Sequence, residues 1–497
     1  MKQYPHLYID GQWVDPIEPR EVELIDPTRE EPFARVTLGS AVDVDRAVDA
    51  ARKAFEGFST TPVAERIALI DRVIDVYESY ADEFAELIAR EVGIPVSNRA
   101  QVAGPAEHMR VARDILREYP FESRIGNAIV RREPIGVCAL ISPWNWPIQT
   151  GVIKLIYGLA AGCTMVVKPS LNSAASGTLM ARVLHEAGVP AGVFNLVNGR
   201  GREVGDALSS HPGVDMISFT GSTAAGKQVG AAAAGTVKKV CLELGGKSAN
   251  IVLPDANLEE AARWNIQRAF FNAGQSCHAP SRMLVHESQI DQVIPFLVDE
   301  AQRFRLGDPL QGSTTMGPVV SAAQYKSIRD LIQSGLDEGA RLVTGGLERP
   351  EGLDRGYFIE PTVFTGVTPD MTIAREEIFG PVLAVLPYRD EDDALRIAND
   401  SPYGLGGYVF GGQRTNPHRV VNRLRAGRIS YNGAPTDSYT PMGGYKQSGI
   451  GRSMGRFGLE EYLEVKSVYG FEDEAQALPE LFGSAEHIHS AAGAISE

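Results

Sequence analysis

A cysteine and a glutamate 34 positions before it are the residues of this sequence best suited to covalent chemistry. Cys277 follows a Gly-Gln-Ser turn, and Glu243 closes an apolar strand shortly before a Gly-Gly pair. A thiol at neutral pH is only a few per cent thiolate, so a nucleophilic cysteine needs a base or hydrogen-bond donors near its sulfur. A carboxylate can act as that base. The pair therefore predicts a cysteine nucleophile with a glutamate as its general base.

Two neighbours of this pair have alternative interpretations. His278 follows the cysteine directly, but adjacent residues seldom face each other, so we expect it to line the pocket rather than to form a Cys–His dyad. Asn145 stands between aromatic residues and prolines, after a strand and before a helix. Its amide can donate to a developing oxyanion, or it can cap the helix that begins at Pro147. Because Cys277 and Glu243 are also present, we favour the oxyanion role for Asn145.

Three further sites carry groups that suit a dinucleotide. Lys168 ends an apolar strand and could bind a ribose hydroxyl or a phosphate, although an isolated lysine there is more often a solvated strand end. Gly221 and Ser222 open a helix whose free N–H groups attract a phosphate, but tight turns need glycine in any case. Glu377 could bind ribose hydroxyls and Phe379 could stack on a flat ring. The alternative for these two is a surface acid beside a core aromatic.

The elements that must position these residues alternate regularly from residue 136 onward. Strands that alternate with helices predict a mostly parallel, doubly wound α/β sheet, with ligands bound beyond the carboxyl ends of its strands. Asn145, Lys168 and Glu243 fall at or just beyond such ends. The predicted strands are 136–142, 163–168, 193–197, 214–219 and 237–243, and the predicted helices are 147–161, 172–187, 202–210 and 222–234.

A second α/β domain follows, with Glu243 at the junction and Cys277 near its start. A cleft between two domains is a common place for a small-molecule site. The predicted strands of this domain are 248–253, 282–286, 340–345 and 382–387, and its predicted helices are 257–271, 287–304, 320–338 and 391–398.

Shorter segments flank the two domains. One of them is a two-stranded excursion whose exposed edge could pair with another chain. The predicted segments are a hairpin region over 1–40, helices after a capping box at Ser40 and Asp43, after Pro62 and over 98–118, the excursion over 124–133, and a late strand over 461–470.

Composition and charge limit the function classes. With 497 residues, 43% of them apolar, the chain exceeds what one hydrophobic core fills, so two or more domains are expected. A net charge of -15 favours neither nucleic acid nor an anionic membrane as partner. No apolar run approaches the roughly 20 residues of a membrane span, and the N-terminus lacks a signal-peptide core, so we expect a cytoplasmic protein. Four cysteines without CxxC spacing predict neither a disulfide framework nor a metal site.

Taken together, the motifs resemble those of the aldehyde dehydrogenase superfamily, in that family's order, over roughly residues 7–470. They are PWNWP at 143–147, KPS at 168–170, FTGST at 219–223, LELGGKS at 242–248, GQSCHAPSR at 274–282, EEIFGPV at 376–382 and GGYKQSGIGR at 443–452. The resemblance implies a homodimer or homotetramer. It also implies a Rossmann-like cofactor-binding domain (1–116 and 136–245), an α/β catalytic domain (246–457), a small β oligomerisation element (117–135 and 458–475) and a C-terminal tail (476–497).

By this resemblance the protein is expected to oxidise an aldehyde to the carboxylic acid with NAD(P)+. Cys277 attacks the carbonyl, the Asn145 amide and the Cys277 N–H hold the oxyanion, a hydride passes to the nicotinamide, and Glu243 activates the water that hydrolyses the thioester. The residues implied to contact the cofactor are Ile141, Trp144, Lys168, Ser170, Gly201, Thr220, Gly221, Ser222, Leu244, Glu377 and Phe379. Those implied to contact the substrate are Trp146, Ile153, Ser276, His278 and Tyr439.

Two positions depart from the family pattern. Leu171 stands where many members have a glutamate that binds the adenosine ribose. Without that glutamate, no carboxylate repels the 2′-phosphate of NADP, so NADP is compatible. NAD remains the expected cofactor. Ser453 replaces a carboxylate that many members place in the proton path behind the base, which leaves the proton exit from Glu243 open.

The sequence leaves the substrate and some alternatives open. Trp146, Ile153 and the loop 434–442 are expected to shape an apolar or aromatic tunnel, and the sequence shows no arginine pair that would demand a dicarboxylic semialdehyde. An aromatic or medium-chain aldehyde is favoured, with a catabolic semialdehyde as the alternative. A CoA-acylating enzyme would not need Glu243 as a base. A cysteine hydrolase without a redox step would not need the cofactor residues.

Overall fold

A computed structural model describes residues 1–470 of the chain. This part is an α/β structure with two large sheets and two three-stranded sheets. The predicted tail 476–497 and the end of the predicted segment 458–475 lie outside the described residues. The two large sheets confirm the predicted doubly wound α/β fold with a second α/β unit.

Most of the strands of both large sheets run parallel to their neighbours. The strands in chain order are β1 (Lys2–Tyr4), β2 (Leu7–Ile9), β3 (Gln12–Val14), β4 (Arg20–Asp26), β5 (Glu31–Leu38), β6 (Glu122–Ile125), β7 (Ala128–Pro134), β8 (Val137–Ile141), β9 (Thr164–Lys168), β10 (Phe194–Leu196), β11 (Met216–Thr220), β12 (Lys239–Glu243), β13 (Ala249–Val252), β14 (Arg282–His286), β15 (Arg341–Thr344), β16 (Thr362–Thr365), β17 (Val382–Tyr388), β18 (Gly406–Phe410), β19 (Arg428–Tyr431), β20 (Gly449–Ile450) and β21 (Leu463–Tyr469).

The helices cover the sheets and form a layer at the start of the chain. In chain order they are α1 (Ala41–Phe58), α2 (Val63–Ser79), α3 (Ala81–Val92), α4 (Ala100–Glu118), α5 (Pro147–Ala161), α6 (Ala174–Glu186), α7 (Asp206–Ser210), α8 (Thr223–Ala234), α9 (Leu258–Phe270), α10 (Ile290–Ala301), α11 (Ala322–Asp337), α12 (Thr372–Arg375), α13 (Glu391–Asn399), α14 (Pro417–Arg423) and α15 (Gly455–Glu461).

The first large sheet brings candidate site residues to one edge. Its strand order is β20-β12-β11-β8-β9-β10-β2-β3, and every residue of β8 is buried, as expected for a parallel strand covered on both faces. Ile141 at the end of β8 lies opposite Lys168 of β9. Thr220 at the end of β11 lies opposite Glu243 of β12. The parallel register therefore places these ends side by side.

The second large sheet has the order β15-β16-β17-β14-β13-β18-β19. A separate antiparallel sheet, β21-β7-β6, contains both the predicted excursion and the predicted late strand. The strand β20 pairs antiparallel with β12, so a segment from late in the chain returns to the first sheet next to Glu243.

Several elements differ from the sequence prediction. The helix α3 was not predicted, although its buried Phe84, Leu87 and Ile88 have helical spacing and Gly93 ends it in the left-handed region at φ 86°. The predicted helix 202–210 begins as a wider turn over Gly201–Gly205 and becomes α-helical only in α7. The strands β16, β18 and β19 were also missed, because short apolar runs do not separate buried strands from helices.

Glu91 ties α3 to the start of α6, and this contact gives a testable stability effect. Its buried carboxylate accepts from the backbone N–H groups of Ala175 (2.7 Å) and Ser176 (3.1 Å). Glu91→Ala leaves both N–H groups buried without this acceptor, so we expect the free energy of unfolding to fall by about 3 kcal/mol. Urea unfolding measures the loss, with Glu86→Ala on the exposed face of α3 as the control.

The effect of Glu91→Ala should depend on pH. Burial raises the pKa of Glu91 to about 7, above the 4.5 of a free glutamate. As pH rises, Glu91 therefore ionises at a lower pH in the unfolded chain than in the folded protein. The stability that Glu91 contributes to the wild-type protein falls as pH rises from 4.5 to about 7. We expect a larger difference between wild type and variant at about pH 5 than at about pH 8. An equal difference at both would contradict the assigned pKa.

Candidate functional site

A strained turn carries Cys277 from α9 into the site. After Phe270 the backbone passes through three left-handed residues, Asn272 (φ 55°), Ala273 (φ 51°) and Gly274 (φ 73°). A Cβ on Gly274 would lie 2.0 Å from the carbonyl oxygen of Gly380, so only glycine fits. A residue other than glycine costs free energy in the left-handed region of φ and ψ. Such a conformation persists where the surrounding structure enforces it, as it does at many functional sites.

Buried amide side chains enforce this turn. Gln275 donates from Nε2 to the Asn272 carbonyl (3.1 Å) and accepts at Oε1 from the Val320 N–H (2.9 Å). Asn272 donates from Nδ2 to the Asn145 carbonyl (2.8 Å). These bonds join the cysteine turn to the Asn145 loop. Sequence reasoning did not assign roles to Gln275 or Asn272, although polar residues inside an otherwise apolar turn are the signal that marks them.

Cys277 lies in a setting that holds its thiol protonated. The side chain is partly accessible. Burial raises the pKa of Cys277 to about 12, and the charges of Glu377 and Glu243 act in the same direction. The backbone N–H groups of Cys277 and His278 act in the opposite direction. A protonated thiol between two carboxylates needs one of them to take its proton before it can attack.

Glu243 is placed to take such a proton. It is buried at the end of β12, and neither carboxylate oxygen has a hydrogen-bond partner within residues 1–470. Burial raises the pKa of Glu243, while the Lys154 charge and the Ser453 hydroxyl act against the rise. A buried carboxylate without hydrogen bonds is costly unless function requires it. The raised pKa and free oxygens suit a general base.

Lys154 is a functional neighbour that the sequence analysis missed. It lies buried in α5 and donates from Nζ to the Ser218 hydroxyl (3.0 Å). Burial lowers the pKa of Lys154, and the Cys241 and Glu243 charges oppose this change. A lysine in the middle of an apolar helix was the available signal, because lysine is rarely buried without a charged partner.

Asn145 does not cap the following helix. Trp146 occupies the cap position of α5, and Asn145 instead donates from Nδ2 to the Gln275 carbonyl (2.9 Å). The second hydrogen of this amide has no partner among residues 1–470, so one donor stays free near the cysteine turn. Trp146 donates from Nε1 to the Ser276 hydroxyl (3.0 Å), which fixes both side chains next to Cys277.

His278 contacts the thiol but does not suit the role of its base. Its Nδ1 lies 3.9 Å from the Cys277 sulfur. Burial lowers the pKa of His278 to about 4, and the Arg428 and Arg268 charges add to the effect. The imidazole is therefore neutral near pH 7 and a weak proton acceptor.

The dinucleotide candidates lie at the same edge of the first sheet. Lys168 is buried, and its Nζ donates to the Pro169 carbonyl (3.1 Å). Burial lowers the pKa of Lys168 to about 8, as expected for a lysine without an anionic partner. Glu377 accepts at Oε1 from the Gly246 N–H (2.9 Å), and burial raises its pKa to about 7. Phe379 meets Trp144 edge to face, with ring centroids 5.4 Å apart.

The start of α8 has the geometry of a phosphate site. Gly221 donates its N–H to the Glu243 carbonyl (3.1 Å), and the Ser222 hydroxyl caps α8 by accepting from the Ala225 N–H (3.3 Å). The cap role and the phosphate role of Ser222 are thus compatible. Leu244 is buried against Gly226, where a Cβ would lie 2.3 Å from its side chain.

For four of the predicted substrate and cofactor contacts, the surroundings do not indicate a role. Tyr439 is exposed and donates its hydroxyl to Asp114 (3.3 Å). Ile153 is buried in α5, and Gly201 is an exposed residue at the start of the turn before α7. Ser170 precedes a short helical turn over Leu171–Ser173. The roles of these residues stay predictions.

Three further features of residues 1–470 concern membrane spans, metal sites and disulfides. Within that range no helix is long and apolar enough to cross a membrane. No cluster of three His, Cys, Asp or Glu side chains in the described chain is arranged to hold a metal ion. The thiols of Cys138, Cys163, Cys241 and Cys277 are all free.

The fold and this cysteine–glutamate site together define one class of enzyme. The sequence model of the aldehyde dehydrogenase family matches residues 13–468. The chain belongs to that family and is an enzyme of the aldehyde dehydrogenase class, which confirms the resemblance predicted from the motifs.

Particular relatives cover nearly the whole chain. A 3-succinoylsemialdehyde-pyridine dehydrogenase from a Pseudomonas species is 50% identical over 95% of this chain and 100% of its own length. A crystal structure of a cysteine-to-alanine variant of aldehyde dehydrogenase C from Pseudomonas syringae, in complex with NAD+ and octanal, has a TM-score of 0.93 and 46% identity over 94% of this chain and 96% of that one. An NAD+ complex of aldehyde dehydrogenase from Bacillus cereus has a TM-score of 0.91 and 39% identity, covering 95% and 97%.

Proposed function

We propose that this enzyme oxidises an aldehyde to its carboxylic acid with NAD+, through a thiohemiacetal and a thioester on Cys277 that water hydrolyses. The observation that carries the proposal is Glu243, a buried carboxylate with both oxygens free and a raised pKa, whose charge acts on the Cys277 thiol. A base in this position can accept the thiol proton and can later activate water. The CoA-acylating alternative leaves this carboxylate without a task.

Asn145 would stabilise the tetrahedral intermediate. Its amide is fixed through the Gln275 carbonyl and keeps one free hydrogen, and the Cys277 N–H is the second donor. Donors that are already oriented stabilise a developing oxyanion without reorganisation, a contribution of about 3 kcal/mol in comparable sites. The hydrogen bond from Asn272 to the Asn145 carbonyl joins the Asn145 loop to the cysteine turn and so fixes the two donors relative to each other.

The residues present fit a nicotinamide dinucleotide. Glu377 uses one oxygen for the Gly246 N–H and keeps the other for a ribose hydroxyl. Lys168 keeps ammonium hydrogens for a second ribose, and the start of α8 offers N–H groups to a diphosphate. When bound, NAD+ supplies the two-electron acceptor of the oxidation. The relatives with NAD+ bound support this assignment.

Leu171 makes the choice between NAD and NADP a point to measure. It begins the short helical turn after Ser170 and brings no carboxylate to that place. We expect turnover with both cofactors and a higher kcat/KM with NAD+. NAD(P)H absorbance, followed with a panel of aldehydes and each cofactor in turn, tests the cofactor and the activity together. Absence of turnover with every pair would overturn the proposed function.

The relatives suggest two substrate classes. The Pseudomonas syringae structure holds octanal, which agrees with a medium-chain aldehyde. The Pseudomonas relative is named for a semialdehyde of a pyridine, which agrees with the semialdehyde alternative. The Trp146 ring lies 5.5 Å from that of Phe271, so an aromatic wall stands beside the nucleophile in either case.

We assign assembly to the sheet β21-β7-β6 within the predicted oligomerisation element. It stands apart from both large sheets, and its outer strands expose Ile125, Val465 and Tyr469. Apolar side chains on exposed strand edges favour pairing with a second copy.

The predicted division into a cofactor-binding and a catalytic domain is supported by the two large sheets. Four unpaired cysteines agree with a cytoplasmic location.

A further inference from the structure

A cavity beside the nucleophile contains an arginine pair that the sequence did not reveal. Its volume is about 60 Å³, enough for several water molecules. Its walls come from α9, from the residue after the nucleophile, and from β18, β19 and the loop that follows β19. We call it the arginine pocket, and the residues that define it here are Arg268, His278, Tyr408, Arg428, Ser430 and Met442.

The charge of the arginine pocket is not balanced by the protein. In the described part of the chain, no Asp or Glu lines it, and neither arginine has a carboxylate within 4.0 Å. Arg428 is partly buried and donates only to the Met454 sulfur, at 3.9 Å, as far as residues 1–470 show. Arg268 is exposed at the mouth and lies over the Trp264 ring, 5.9 Å from its centroid. The pocket is therefore cationic from mouth to interior.

Two neutral hydroxyl donors of this pocket are already used within the protein. The Tyr408 hydroxyl donates to the His278 carbonyl (2.7 Å), and the Ser430 hydroxyl donates to the Ala434 carbonyl (2.8 Å). His278 adds no charge near pH 7, because burial lowers its pKa to about 4. The charged donors of the pocket are the guanidinium groups of Arg268 and Arg428. Such donors pair in a bidentate way with a carboxylate.

The inner arginine is also close enough to the reacting groups to matter for the substrate. Burial lowers the pKa of Arg428, and the negative charge of ionised Glu243 opposes that change. A partly buried guanidinium without a partner is costly, and an anion in the pocket would remove the cost. The residue next to the nucleophile forms part of the wall, so an aldehyde on Cys277 can direct its far end into this space.

We propose that the arginine pocket binds a carboxylate at the far end of the substrate, which makes the preferred substrate a semialdehyde of a dicarboxylic acid. The inference rests on the proposed function, since it names the substrate class of the same site. It departs from the sequence expectation of a largely apolar or aromatic tunnel, for which no arginine pair was recognised. Residues on α9 and β19 are distant in sequence, so only the fold brings the two guanidinium groups together.

The test compares aldehydes that differ only in the far carboxylate. The pairs are butanal with 4-oxobutanoate, pentanal with 5-oxopentanoate and hexanal with 6-oxohexanoate, assayed with NAD+ by NADH formation. We expect the wild-type enzyme to prefer at least one carboxylated partner in kcat/KM. The ratio within that pair should fall about tenfold or more in Arg428→Met, the loss expected for a charge-assisted hydrogen bond. Arg428→Lys keeps the charge but loses the bidentate geometry, so it should retain part of the preference and fall between wild type and Arg428→Met.

Arg268→Met and Arg263→Met form a matched set on α9. Arg263 is exposed and paired with Glu259, outside the pocket, and its substitution should leave the ratio unchanged. Arg268→Met should lower the ratio, and it carries the test if Arg428→Met does not fold. Equal use of plain and carboxylated aldehydes by the wild-type enzyme would overturn the inference and leave the proposed function intact. Failure to oxidise any aldehyde would overturn the proposed function itself.

Discussion

We expect the Cys277→Ala enzyme to lose aldehyde oxidation, with kcat reduced by about 10⁴-fold or more. The substitution removes the atom that bonds to the carbonyl carbon, and no neighbouring group can replace it. His278 is neutral and its ring nitrogen lies 3.9 Å from the sulfur, while Glu243 is a base without a nucleophile to activate. Stopped-flow and steady-state measurements of NADH absorbance quantify the loss of activity.

Two controls separate loss of chemistry from loss of the site. Binding of NADH to Cys277→Ala, followed by fluorescence, should match wild type because Lys168 and Glu377 are unchanged. Cys138→Ala removes a buried thiol in β8 and should leave turnover intact. Residual aldehyde oxidation in Cys277→Ala would show that the nucleophile is a different residue.

The alternation of strands and helices was readable from sequence for a physical reason. Strands covered by helices on both faces are mainly apolar, as β8 is throughout and as β9 and β11 are at most of their positions. Parallel pairing then sets the carboxyl ends at one edge. The positions of Lys168 and Glu243 followed from their places at strand ends, without any knowledge of their contacts.

The electrostatic state of the site could not be predicted in this way. It depends on groups that come together only in the folded chain, such as Lys154 of α5 near Glu243 and Ser453 from late in the sequence. The same limit explains the arginine pocket, since local periodicity carries no information on which distant side chains share a cavity. It also explains β20, a pair of residues whose strand character exists only against β12.

Asn145 shows how the structure resolves an ambiguity that the sequence left open. Asparagine before Pro147 fits a helix cap as well as an oxyanion donor. The cap position is taken by Trp146, and the Asn145 amide points to the Gln275 carbonyl instead. The free hydrogen of that amide is therefore available at the cysteine turn. The local sequence could not decide this, because the deciding partner, Gln275, lies 130 positions later in the chain.

Glu243→Gln should separate the two halves of the reaction. We expect a burst of about one NADH per active site, followed by a steady rate about 10² to 10⁴ times slower than wild type, because the amide cannot activate the water that hydrolyses the thioester. Burst formation should slow much less, because Glu377, the other carboxylate that acts on the thiol, and solvent can still accept the thiol proton. Rapid-mixing absorbance resolves the two phases.

The matched control is Glu376→Gln, an exposed carboxylate next to Glu377, which should keep both phases. The pH profile adds a second readout. Burial raises the pKa of Glu243, so the wild-type hydrolysis rate should fall as pH decreases through a value above that of a free glutamate, because protonation removes the base. The Glu243→Gln enzyme has no such group to titrate and should lack this limb. If both phases slowed equally, or the limb persisted, water activation would have to be assigned to a residue other than Glu243.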